Sequence, residues 1–201
     1  MRVTKSRIAV LALIIWSAVP LLAAHAESLA VRNCTWCHGA SAQGYAPAPR
    51  LAGQRSQYLE NQLRSFGYHK RDNPFSKMYM WYAAANLTPR AARDLAVYLS
   101  SLSPEAANDG DRELVSLGRR IYQEGMPDSN IVACVACHGP SAQGVREIPR
   151  LGGLSYSYLQ TRLAQWGEGY DARARFPMPH VAGRLSPDQI NALASYLSFI
   201  R

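Results

Sequence analysis

Charge is scarce in this chain: only 18% of its 201 residues are Asp, Glu, Lys or Arg, and nothing gathers them into an acidic or basic tail. That scarcity, with an ordinary 14 glycines and 12 prolines, excludes a disordered or collagen-like chain. No run alternates convincingly enough for a strand, and no βαβ pattern appears. Cysteine is limited to four residues. The one long apolar run, Ile8 to Val19, stops at Pro20, short of the roughly 20 residues a bilayer crossing needs. What remains is a globular chain with room for one or two domains and a buried core.

The amino terminus bears on the formal net charge of +8. Arg2, Lys5 and Arg7 precede the apolar run, and Ala24-His25-Ala26 places small residues three and one positions before a cut. This is the pattern of a secretory signal peptide, residues 1–26, cleaved after Ala26, and it directs the protein to the periplasm. An uncleaved anchor is the alternative reading. Export sets nucleic acid aside as the partner a basic chain would suggest. Cleavage leaves 19 Lys+Arg against 14 Asp+Glu, unevenly placed: residues 27–100 carry 9 and 4, residues 101–201 carry 10 and 10. An acidic partner should therefore prefer the first half. Association there should weaken more with added salt, and equal salt sensitivity in both halves would exclude the preference.

Four cysteines in an exported chain would ordinarily suggest two disulfides. Their arrangement says otherwise. Cys34-Thr35-Trp36-Cys37-His38 and Cys134-Val135-Ala136-Cys137-His138 are both C-x-x-C-H. That pattern attaches c-type haem: two thiols add to the vinyl groups, and the next histidine becomes the proximal ligand of the iron. A thioredoxin-like motif would need a strand-to-helix junction, which is absent. A zinc site gives no reason for a histidine directly after each pair. Two covalently attached haem c groups are thus expected, at Cys34, Cys37 and His38 and at Cys134, Cys137 and His138.

The motifs belong to an internal repeat. At an offset of 100, Gly39, Ser41, Ala42, Gln43 and Gly44 match Gly139, Ser141, Ala142, Gln143 and Gly144; Pro49-Arg50-Leu51 matches Pro149-Arg150-Leu151; Tyr58, Leu59, Leu63 and Gly67 match Tyr158, Leu159, Leu163 and Gly167. The offset then falls to 98, where Leu87, Pro89, Leu95, Tyr98 and Leu99 match Leu185, Pro187, Leu193, Tyr196 and Leu197. Two tandem units follow, residues 27–100 and 111–201, joined by a small, polar linker over 101–110.

Each unit reads as all-α, a few helices joined by long loops. Helices are expected from Ser56 to a stop at Gly67, after the cap Thr88-Pro89, around Asp111 to Glu124, and after the capping box Ser186-Pro187-Asp188-Gln189. So few helices make a thin core, which a large apolar cofactor would fill. Unit one has only Glu27 to Asn33 before its motif, so the Leu95/Tyr98 face is expected to lack its usual partner helix.

The sixth ligand decides what each iron does. Met178 lies seven residues before Leu185 and Met80 seven before the matching Leu87. That spacing selects Met80 over Met78, which aligns with Phe176; His69 and His180 are the histidine alternatives. Unit one departs from unit two here, with Met80-Trp81 against Met178-Pro179.

Taken together, the export signal, the paired C-x-x-C-H-G units, Pro49-Arg50-Leu51-Ala52-Gly53-Gln54 and the Met-then-Leu-Thr/Ser-Pro helices resemble a di-haem class I cytochrome c of the cytochrome c4 type. The resemblance covers nearly all of residues 27–201. It implies two tandem class I cytochrome c domains, axial ligands His38, Met80, His138 and Met178, and carbonyls of Pro49 and Pro149 accepting the proximal histidine N–H. It further implies a periplasmic electron carrier rather than an enzyme, with redox proteins as partners. A membrane oxidase or reductase complex fits among them, which leaves room for peripheral association with a membrane. The alternative is an electron-accepting or catalytic subunit of a sulfur-compound dehydrogenase or peroxidase, which would need one haem with an open sixth position.

Overall fold

A computed structural model of the chain describes residues 27–30, 32–45, 47–171 and 177–201. The export segment with its cut after Ala26 lies outside these residues, as does Phe176. Among the described residues the only extended pairings are isolated bridges, Tyr45 with Ala48, Met126 with Ile131 and Val145 with Ile148, so the fold is helical throughout.

In the first half the helices are α1 Thr35–His38, α2 Ser56–Gly67, α3 Trp81–Ala84 directly after a π-helical turn Ser76–Met80, and α4 Pro89–Ser101. The second half has α5 Val115–Glu124, α6 Val135–His138, α7 Tyr156–Gly167, α8 Met178–Ala182 and α9 Pro187–Ser198. The caps form as their sequences dictate. Thr88 accepts from the Ala91 N–H at 3.2 Å with Pro89 in the first turn, and Ser186 and Gln189 close a reciprocal capping box.

The core of the first half is made of Ala30, Ala42, Ala52, Leu59, Leu95, Ala96 and Leu99. Four of these seven are alanine, which leaves little side-chain volume for its helices to enclose. In the second half α5 crosses α9 closely, with Gly118 against Ala192 and Tyr196, and the Tyr122 and Tyr196 rings 5.6 Å apart. Met126 packs against this core.

Two expectations are corrected here. The helix expected from Asp111 starts at Val115, because the Asp111 carboxylate accepts the Glu113 N–H and holds a turn first. The Leu95/Tyr98 face of α4 does have a partner: residues 27–30 and 32–33 are helical, and Ala30, 1% exposed, packs into the core with Leu29 beside it.

The segment after α4 is tied down rather than loose. Gln43 donates to the Ser103 carbonyl and accepts from the Glu105 N–H; Ala107 and Asn108 donate to the carbonyls of Gly153 and Ser198. Among the described residues no helix is long and apolar enough to cross a membrane.

Candidate functional site

Each C-x-x-C-H folds as one short helical turn, which brings the first cysteine, second cysteine and histidine to one side at i, i+3 and i+4. None of the four thiols is in a disulfide; Cys37 and Cys137 are exposed, Cys34 and Cys134 half-buried. Burial pushes the Cys34 thiol up, and the Cys134 thiol up to about 11. A thioredoxin-type motif requires the opposite, a depressed thiol pKa.

His38 and His138 are buried, 6% and 5% exposed. Their Nδ1 atoms lie 2.7 Å from the Pro49 carbonyl and 3.0 Å from the Pro149 carbonyl, the two bonds the resemblance implies. A carbonyl can only accept, so Nδ1 carries the proton. Burial lowers the pKa of both rings, with the carbonyl bond opposing it, which keeps them neutral and leaves the Nε2 lone pair free to bind a metal. The loop that returns each proline passes so close to Gly44 and Gly144 that a Cβ at either would lie 2.6 or 2.5 Å from the proline's carbonyl carbon. Both glycines have positive φ, +77° and +65°.

Met80 closes the π-helical turn and Met178 opens α8; both are half-buried. Met78 is 61% exposed and faces an open groove with Pro74, Lys77, Tyr82 and Tyr170. His69 stacks on Trp81, ring centroids 4.0 Å apart and planes 12° from parallel, and His180 is exposed.

Sequence reasoning missed the contact between the two halves. Asp72 and Asp171 exchange bonds across it, each backbone N–H donating to the other's carboxylate at 2.7 and 2.8 Å. Asp171, 3% exposed, also accepts from Arg162 at 2.5 Å, with Arg71 Nε 4.0 Å away. Burial alone would raise its carboxyl; Arg162, the Asp72 N–H and Arg71 outweigh it and hold the pKa below the usual carboxylate range. Arg71 reaches on to Gln62 and to the Tyr158 hydroxyl. Nearby, Arg50 donates to the carbonyls of Gly152, Gly153 and Glu105, and Gln54 brackets Arg150 from both sides. Burial and the neighbouring Arg150 push the Arg50 pKa down to about 10. The repeat alignment had paired Tyr58 with Tyr158 and Arg50 with Arg150, the one signal that could have located this interface.

The residues fit covalently held haem. Two neutral histidines each present one free nitrogen beside a pair of unbonded thiols. The buried donors Arg71 Nε and Ser157 Oγ have no protein acceptor, as expected where a cofactor's carboxylates complete the bonding.

The cytochrome c family model matches residues 23–103 and again 115–200. Cytochrome c-552 of Acidithiobacillus ferridurans is 32% identical over 83% of this chain and 73% of its own. The thiosulfate dehydrogenase electron acceptor of Thiomonas intermedia (strain K12) is 35% identical over 95% of this chain and 88% of its own. Among solved structures, cytochrome c4 of Acidithiobacillus ferrooxidans superposes with a TM-score of 0.78 at 31% identity, covering 83% of this chain and 98% of that one.

Proposed function

The chain belongs to the cytochrome c family and is a di-haem electron-transfer protein, and from that premise we propose that it shuttles single electrons between redox partners in the periplasm, with His38 and Met80 holding one iron and His138 and Met178 the other. The observation that carries this reading is the same histidine-to-proline bond at both motifs, built twice from the same residues. Bound haem supplies reversible one-electron chemistry.

The chain's own residues do the rest. The cysteines fix the cofactor to a helical turn, so that it cannot be exchanged. The Pro49 and Pro149 carbonyls hold the imidazoles in one tautomer and orientation. The soft thioethers of Met80 and Met178 would hold the iron, favour its reduced state and exclude small molecules from it. Ligands held this firmly change little between oxidation states, which suits fast transfer. We place the mature protein at residues 27–201, with 101–110 as the connection between domains.

Spectroelectrochemical titration of Met80→Ala and Met178→Ala beside the wild type tests the ligand sets. Each change should lower one potential by an amount on the order of 0.1 V, within the roughly 0.8 V that axial ligands span. If neither change moves the spectrum or a potential, the assignments are wrong. The relative in Thiomonas intermedia favours a second reading, in which the chain receives electrons from a sulfur-compound dehydrogenase. A carrier in either role should bind cyanide and CO slowly in protein whose mass shows two haems. Rapid binding at one haem would point to catalysis there.

A further inference from the structure

Unit two follows its methionine with Pro179, whose ring fixes the backbone at that point. Unit one has Trp81 instead, and the structure shows four contacts that hold it. Its backbone N–H donates to the Ser76 carbonyl and closes the π-helical turn ending at Met80, a bond that proline could not make. Its indole N–H donates to the Arg71 carbonyl at 2.8 Å. Its ring stacks on His69, and the Lys77 ammonium lies 5.9 Å from the ring centroid.

His69 is the second half of the exchange. The residue 100 positions on is Gly169, and both occupy the left-handed region, at φ +55° and +82°. Glycine adopts that conformation freely, whereas a histidine there is strained. Unit one thus keeps a strained side chain where unit two uses glycine, and that side chain is the one lying flat against Trp81. The pair His69/Trp81 stands where the pair Gly169/Pro179 stands in the other unit.

We propose that Trp81, clamped by His69 and the Arg71 carbonyl, is a positioning residue that holds Met80 on its iron. The proposal rests on the reading of Met80 as a ligand. It gives the two units different means to one end, a fixed dihedral in one and a tertiary clamp in the other. The clamp also reaches the domain interface, because Arg71, whose carbonyl receives the indole, sends its guanidinium to Tyr158 and Asp171 of unit two. Loosening of that interface is then felt at the sixth ligand of unit one and not of unit two.

The test is an imidazole titration of the full-length ferric holoprotein, following the methionine-to-iron charge-transfer absorption at both haems. Met80→Ala identifies the phase belonging to unit one. Trp81→Ala should raise imidazole affinity in that phase about tenfold, the effect of losing one half-buried hydrogen bond and one stack, with the other phase unchanged. Trp81→Phe, which keeps the stack, and His69→Gly, which keeps the indole bond and relieves backbone strain, should fall between. Wild-type affinity in Trp81→Ala and His69→Gly overturns the clamp, as does an equal change in both phases. If Met80→Ala itself leaves both phases and the charge-transfer band as in the wild type, Met80 is not the ligand and the clamp falls with it; loss of the band in Met80→Ala with no effect of Trp81→Ala removes the clamp alone.

Discussion

Replacing Asp171 by alanine should cost about 3–5 kcal/mol and split a single thermal transition of the holoprotein into two, because the change strips a buried carboxylate from the contact where Arg162 bonds it and Arg71 lies 4.0 Å away. The carboxylate is nearly inaccessible and serves three partners at once: the Arg162 guanidinium, the Asp72 N–H and the Asn73 side-chain amide. Alanine leaves the Arg162 guanidinium beside Arg71 without the carboxylate it bonds, and an N–H of the other unit without an acceptor. Asp171→Asn is the cleaner test of charge alone. Position 171 has φ +54°, which asparagine tolerates better than alanine, and the amide oxygen still accepts from Asp72.

The charge term has a definite pH signature. The Asp171 carboxyl is held below its unfolded value, so its contribution is fully present above the unfolded aspartate pKa of about 3.9 and is lost as pH falls through the lower, folded pKa. The stability difference between wild type and Asp171→Asn should therefore be constant from about pH 5 to 8 and shrink below about pH 4. A difference that grows on acidification, or a single transition unmoved in Asp171→Ala, would show that the contact is not a coupling between domains.

That interface also marks the limit of what the sequence could show. The C-x-x-C-H turns, the Thr88 and Ser186 caps and the stop at Gly67 depend on residues within a few positions of one another, and each forms as its local pattern dictates. The histidine-to-proline bonds span only 11 residues and are carried by the resemblance. Asp72 and Asp171 are different. They meet at a separation of 99, inside the stretch where the repeat slips from an offset of 100 to 98, so alignment hides their symmetry. Arg50 reaches carbonyls 102 and 103 residues away, and a carbonyl leaves no mark on composition. Residues 101–110 read as a linker from their polarity, yet their backbone groups find partners in both units, which only the tertiary arrangement supplies. His69 was visible only as a stray histidine and a ligand alternative. Its stack on Trp81 depends on a loop closing over 12 residues with no periodicity to announce it.

Gly118→Val should destabilise unit two by about 3 kcal/mol, the upper end of what overpacking costs, and leave the unfolding of unit one in place. Glycine in mid-helix forfeits about 1 kcal/mol against alanine, so its presence four residues into α5 needs a compensating contact. The crossing with α9 is that contact. A Cβ at 118 would overlap the Ala192 carbonyl oxygen and lie 2.7 Å from the Tyr196 Cβ. Neither is the movable end of a side chain, so the helices must separate. Gly118→Ala sets helix propensity against the clash and should still lose stability. A more stable alanine variant would mean that the crossing is looser than it stands here. The separation should also be read at the haem site, because Tyr122, one turn further along α5, donates its hydroxyl to the Gly139 carbonyl at 2.6 Å, directly after His138. Moving α5 away from α9 pulls on the residue that follows His138. The absorption and potential of the second haem should shift in Gly118→Val at temperatures well below unfolding, while those of the first stay as they are.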